Sequence, residues 1–249
     1  MAYAAAGADV VAIHDKPNSY NINDNCGSTH IEVLRAAVLE HGADLGLAHD
    51  GDADRCLAVD SHGNIVDGDQ IMAILAVAMK EEGLLHHNTL VATVMSNLGL
   101  KLAMEENDIA LRTTKVGDRY VVERMREGGF NLGGEQSGHI VMTDYATTGD
   151  GLVAAMQVLG AMAETGRAAS ELVAQFEPVP QMLKNVRYAA GADPLAAEPV
   201  KRMIADARER GYITYDQLNA VLPPEQVSSD QIEDVMSMLS EMDIRVVEN

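Results

Sequence analysis

Over its first 190 residues the chain alternates short β-branched apolar runs with stretches whose apolar residues recur every three to four positions. That alternation constrains the fold to α/β layers, with strands covered by amphipathic helices. Strands are expected at 10–13, 45–48, 57–59 and 65–66, the last two forming a hairpin through Ser61-His62-Gly63-Asn64. Ile31, Leu34 and Val38 mark a helix that ends at Gly42, and Ile71, Ile74, Leu75 and Ala78 mark another that ends at Gly83. A second α/β unit begins near Thr89, with strands at 90–94, 109–111, 130–132 and 140–142 and helices at 98–106, 119–126 and 151–164.

Between residues 188 and 199 the composition shifts to Ala, Gly and Pro, as in a linker. Beyond it, Thr214-x-x-Gln217 and Ser228-x-x-Gln231 have the spacing of capping boxes, and Ile232, Val235, Met236 and Leu239 share one helical face. The last 25 residues hold seven acids and one arginine, so a small, acidic, helical module is expected there.

Charge narrows the function. Eighteen Lys and Arg stand against 38 Asp and Glu, a net charge of −20. Such a surface repels phosphate backbones and anionic lipids, which argues against direct nucleic-acid or membrane binding. It leaves room for phosphate chemistry if a cation and a few basic groups share one cleft. No apolar run approaches the roughly 20 residues needed to span a bilayer. The first residues lack the parts of a signal peptide, and two cysteines, Cys26 and Cys56, are too few for a disulfide framework. A reduced, cytoplasmic protein is expected.

The sharpest motif is Asp50-Gly51-Asp52-Ala53-Asp54-Arg55, directly after the apolar strand 45–48. Three alternating carboxylates on a loop can face one spot, and two of them about 5 Å apart repel by roughly 3 kcal/mol at an effective dielectric of 20. A divalent cation removes that repulsion, and hard oxygen ligands suit Mg²⁺. An EF-hand is excluded: it needs Gly at loop position six and Glu at twelve, where this chain has Arg55 and Ser61. A phosphatase using Asp50 as nucleophile stays open as an alternative, although Asp54 stands where such haloacid-dehalogenase-type enzymes usually carry Thr or Val.

Two further constellations follow. Gly133-Gly134-Glu135-Gln136-Ser137-Gly138-His139 is a glycine-rich loop whose Glu, Gln, Ser and His suit sugar hydroxyls. Lys115-Val116-Gly117-Asp118-Arg119 lies at a strand-to-helix turn, where backbone amides and two cations suit a phosphate. His14, His30, His41, His86 and His87 have no ligand spacing and read as surface residues, and the 14 methionines read as core filler.

Together these motifs, with Asn21-Ile22-Asn23, Val66-Asp67-Gly68-Asp69-Gln70 and Thr147-Thr148-Gly149-Asp150-Gly151, resemble the phosphoglucosamine mutases of the α-D-phosphohexomutase superfamily. The resemblance implies two consecutive α/β/α layered domains of phosphohexomutase type. Residues 1–88 would be a truncated second domain with the metal loop, and 89–190 a third domain with the sugar loop. It implies phosphoryl transfer that interconverts glucosamine 6-phosphate and glucosamine 1-phosphate. Asp50, Asp52 and Asp54 would then bind Mg²⁺. Glu135, Ser137 and His139 would serve the hexosamine phosphate, and Arg55, Lys115 and Arg119 would stabilise charge near the transferred phosphoryl. The family's phosphoserine sits in a Ser-His-Asn-Pro-like motif of a first domain, and this sequence has no such motif. Nor does it carry the fourth domain's Ser-Gly-Thr loop, so a fragment inactive by itself is expected.

Residues 195–249 resemble instead region 1.1 of bacterial primary sigma factors, through Gly211-Tyr212-x-Thr214-Tyr215 and Ser229-Asp230-Gln231-Ile232-Glu233-Asp234. That resemblance implies a contact with RNA polymerase and makes the whole chain chimeric. A different class of reading is an interaction protein whose acidic tail occupies a basic channel while the α/β part is a passive carrier.

Overall fold

Residues 2–174, 176 and 178–181 are described in the computed structural model, together with two strands near the C-terminus. A short helix α1 (Ala2–Ala5) leads into residues 8–30, which form neither helix nor strand. The strand expected at 10–13 does not form. Val10, Val11 and Ile13 are exposed, and β1, described next, pairs only with β2 among the described residues. A β-branched run without a partner strand has no ladder to join, and its propensity alone does not make it a strand.

Helix α2 (Ile31–His41) ends as expected at Gly42, whose left-handed backbone lets its N–H reach the Val38 carbonyl. Leu34 and Val38 lie directly on strand β1 (Leu45–Ala48) at Gly46, where even a Cβ would come within 2.4 Å of Val38. Strands β2 (Leu57–Asp60) and β3 (Ile65–Val66) complete an antiparallel sheet in the order β1-β2-β3, with Leu45 opposite Asp60. The hairpin turn is held by the buried Asp60 carboxylate, which accepts from the backbone N–H groups of His62 and Asn64 at 2.9 and 2.8 Å.

Asp67 caps helix α3 (Gly68–Glu81) in a full capping box with Gln70. Then follow β4 (Thr89–Thr93), α4 (Leu98–Glu106), β5 (Ala110–Thr114), α5 (Asp118–Gly128), β6 (Leu132–Gly134), β7 (Ile140–Met142), α6 (Gly151–Thr165) and α7 (Ala169–Val173). Their sheet has the order β5-β4-β6-β7, with β4 and β6 parallel and β6 and β7 antiparallel. Leu90, Ala92, Ile140 and Met142 face the core that holds α3, while Val91 and Val141 pack with Val121 and Met125 of α5 on the other side. Alternate residues thus enter two cores, which is what makes β4 buried at all five positions.

Helix α3, which the sequence places with residues 1–88 in a truncated second domain, covers the second sheet. Its Ile71, Met72 and Leu75 share one core with Cys56, Ala58 and Val66 before residue 88 and with Leu90, Leu100 and Leu132 after it. Chain contacts divide the molecule into two units, Met1–Thr113 with Gly117–Pro178, and Thr114–Val116 with Val179–Asn249. In the second unit, β8 (Tyr212–Thr214) and β9 (Arg245–Val247) pair in parallel, Tyr212 opposite Arg245. The linker and the helices expected beyond residue 188 lie outside the described residues. No helix among the described residues is long and apolar enough to cross a membrane.

Candidate active site

Strand β1 delivers His49 and Asp50 into a tight turn. The Ala53 N–H donates to the Asp50 carbonyl at 3.2 Å, and Ala53 itself takes a left-handed backbone, φ 59°. Asp50 then folds back on the end of the turn: its Oδ1 accepts the Arg55 N–H at 3.3 Å and its Oδ2 lies 3.9 Å from Arg55 Nε. Asp52 is exposed. Asp54 points the other way, its Oδ2 3.1 Å from His139 Nδ1 and its Oδ1 buried without a hydrogen-bond partner.

That Asp54 contact joins the aspartate loop to the glycine-rich loop. Arg55 and His139 form an antiparallel bridge, and the Cys56 N–H donates to the Gly138 carbonyl at 3.0 Å. The glycine-rich loop turns through Gly138, whose φ of 90° suits glycine, and is closed by Glu135 N–H to His139 O and Gly138 N–H to Glu135 O, both 3.0 Å. From below, Gly68 N–H donates to Gln136 O at 3.0 Å and Gln136 Nε2 to Asp67 Oδ2 at 3.2 Å. From the side, Glu135 Oε1 accepts the Gly117 N–H at 2.8 Å, which ties the loop to the start of α5. Gly151 at the start of α6 donates to the Ala53 carbonyl at 2.9 Å. The aspartate loop and the glycine-rich loop are therefore joined to each other and to the starts of three helices, α3, α5 and α6, that are far apart in sequence.

Placement sorts the expected residues. Ser137 is exposed and Glu135 half-buried. His139 is 5% exposed, so its ring links the two loops from inside rather than lining an open surface. Arg119 is exposed in the first turn of α5, with its N–H on Asp118 Oδ1 at 2.7 Å. Lys115 lies in the Thr114–Val116 stretch of the second unit. The five histidines expected at the surface are all exposed, and Met72, Met104 and Met125 are core residues.

No three His, Cys, Asp or Glu side chains converge as a metal site among the described residues. The three aspartates diverge because Asp50 answers Arg55 and Asp54 answers His139. Their chemistry nonetheless fits a hard cation: three carboxylates on one turn, with a buried Asp54 oxygen that lacks a partner.

The sequence reading gave no role of their own to three residues. Asp67 and Asp69 open α3, and burial raises the pKa of both. For Asp69 it reaches about 7, with the Asn97 amide and the Ser96 hydroxyl pulling down and Asp67 adding to the rise. Asp69 Oδ2 accepts the Asn97 N–H at 2.6 Å and so holds the loop that enters α4. His49 is the third. Only the position before the aspartates could have marked it, and there it reads as the end of a strand.

Residues 67–179 match the family described as phosphoglucomutase/phosphomannomutase, alpha/beta/alpha domain III. Over 209 residues the chain is 65% identical to the phosphoglucosamine mutase of Corynebacterium efficiens, an alignment covering 84% of this chain and 47% of the relative. With the phosphoglucosamine mutase of Paracoccus denitrificans it is 62% identical over 204 residues, 82% of this chain and 46% of the relative. The chain thus spans about half the length of these curated relatives. In fold it is similar to Aspergillus fumigatus N-acetylphosphoglucosamine mutase, solved with GlcNAc-6P and magnesium, at TM-score 0.58 and 18% identity, covering 90% of this chain and 54% of that one. A putative phosphomannomutase from Thermus thermophilus superposes at TM-score 0.54 with 25% identity, covering 59% and 33%. Residues 195–249 match Sigma-70 factor, region 1.1. The α/β part is therefore phosphoglucosamine-mutase-like in sequence and phosphohexomutase in fold.

Proposed function

We propose that the α/β part binds a hexosamine phosphate together with Mg²⁺ and performs the positioning half of the interconversion of glucosamine 6-phosphate and glucosamine 1-phosphate. One observation carries this reading: the Asp54–His139 contact and the Arg55–His139 bridge join the aspartate loop and the Glu135–Ser137 loop into one surface. Asp50, Asp52 and Asp54 would hold the cation, which supplies charge neutralisation to a transferred phosphoryl group. Glu135 and Ser137 would take sugar hydroxyls, with His139 fixing their loop. Arg55 and Arg119 would supply positive charge to the phosphate. Nothing in the sequence matches the Ser-His-Asn-Pro motif, so this reading has the chain bind without turnover by itself, for want of a covalent phosphoryl carrier. Two free thiols, Cys26 and the buried Cys56, support a reducing, cytoplasmic setting. For the tail, the match to region 1.1 supports RNA polymerase as partner.

Calorimetry on the full chain tests the site. Asp52→Asn is the cleanest metal variant because Asp52 is exposed. It should weaken Mg²⁺ about tenfold, and Glu135→Gln should weaken glucosamine 6-phosphate by a similar factor, the scale of one charged hydrogen bond. Unchanged binding in both variants would sink the assignment. Turnover that Asp50→Asn abolishes would favour Asp50 as a nucleophile instead.

A further inference from the structure

We infer that His49 is a positioning residue that closes the aspartate turn from within and sets the carboxylates for a divalent cation. His49 Nδ1 lies 2.9 Å from the Arg55 carbonyl oxygen, so one side chain joins the entry of the turn to its exit. A carbonyl only accepts, so Nδ1 carries the proton and Nε2 is left to accept. The Tyr3 hydroxyl lies 2.5 Å from Nε2, and the two rings stack with centroids 6.2 Å apart and planes within 10°. The Arg55 carbonyl therefore fixes the tautomer, and Tyr3, whose hydroxyl can then donate to Nε2, fixes the plane of the ring.

The surroundings leave this bond little freedom. The His49 carbonyl accepts the Ser28 N–H at 3.3 Å, which anchors the backbone before the turn. On the far side Gly151 donates to Ala53 O, and a Cβ at Gly151 would come within 2.2 Å of Arg55 O and 2.8 Å of His49 Nδ1. Helix α6 thus presses against the bond, and a bare glycine is what permits it. Inside the turn the backbone supplies only the Ala53-to-Asp50 bond in support. Among side chains, the Asp50 carboxylate ties back to the Arg55 N–H at 3.3 Å, and the His49 bond holds the Arg55 carbonyl, so the two together span residues 52–54 from entry to exit.

The metal half of this inference rests on the site proposed above, so the test reads the turn separately from the cation. Amide exchange over residues 50–56 would be followed by NMR in the metal-free full chain, alongside a Mn²⁺ titration. Two variants separate the donor from the ring. His49→Phe keeps an aromatic face against Tyr3 and removes the donor, whereas His49→Asn can still place an N–H on Arg55 O and removes the ring. His49→Phe should speed exchange at 53–55 roughly tenfold and weaken Mn²⁺ roughly five- to tenfold, the scale of one hydrogen bond, while His49→Asn stays within about twofold on both. Unchanged exchange in His49→Phe overturns the inference, and so does the reverse order, which would make His49 a packing residue. Absence of Mn²⁺ binding by the unaltered chain would overturn the metal role, while the exchange data would still decide the closure.

Discussion

Gly68→Ala should cost about 3 kcal/mol or more of folding stability, read as a fall in the urea midpoint. A Cβ at that position would lie 2.1 Å from the Glu135 carbonyl oxygen, 2.7 Å from the Gly138 nitrogen and 2.8 Å from the Gln136 carbonyl oxygen. All three are backbone atoms of the glycine-rich loop, so no side chain can swing aside. To admit the methyl, the loop must lift off α3, which breaks the Gly68-to-Gln136 bond and strains the Asp67–Gln136 contact. Gly160 supplies the control. It lies inside α6 with nothing within 4 Å of its Cβ position, so Gly160→Ala should stabilise by about 0.5–1 kcal/mol through helix propensity. Equal effects at the two glycines would contradict the packing described at α3.

Asp69 should make stability fall as pH rises from about 4 to 7. Its carboxyl titrates near 7 in the folded chain because burial disfavours the charge, against about 3.9 in an unfolded one. Between those values the unfolded chain has released a proton that the folded chain retains, so raising the pH favours unfolding. The stability is fully present below about pH 4, and on the order of 4 kcal/mol is lost by the time the pH passes 7. Asp67, raised by the same burial, acts in the same direction. Asp69→Asn should flatten this slope and raise stability at pH 8. Its amide oxygen can still accept the Asn97 N–H, and its amide nitrogen offers a donor to the neighbouring Ser96 hydroxyl. Thermal or urea unfolding from pH 4 to 8 measures both slopes. Parallel slopes for the variant and the parent chain would refute the assignment to Asp69.

What was legible in the sequence was what a local pattern encodes. Helix α4 falls at Leu98–Glu106 as its periodicity requires, and α2 stops where glycine permits a left-handed cap. The hairpin β2–β3 follows from its turn residues. The strand expected at 10–13 failed because a strand depends on a neighbour that its own residues do not specify. Short α7 lacks the length that makes a period readable. The site divides in the same way. Asp50, Asp52 and Asp54 stand out as a motif, but their divergence toward Arg55 and His139 is tertiary. His139 looks like a sugar ligand in sequence and lies buried against Asp54, while His49, Asp67 and Asp69 gain their roles only from partners distant in the chain. Periodicity reports which face of an element is buried, and it carries no record of which polar group meets which across the fold.

The central claim is that the aspartate loop and the glycine-rich loop form one cation-dependent site. Paramagnetic broadening by Mn²⁺ tests it most directly, with backbone amide signals followed in the full chain as substoichiometric Mn²⁺ is added. Amides of residues 50–55 should broaden first, and those of 134–139 should follow, because Arg55 and His139 are paired and Asp54 touches His139. Asp52→Asn should weaken both effects together. Broadening confined to the acidic residues after Glu225, with neither loop affected, would contradict the account.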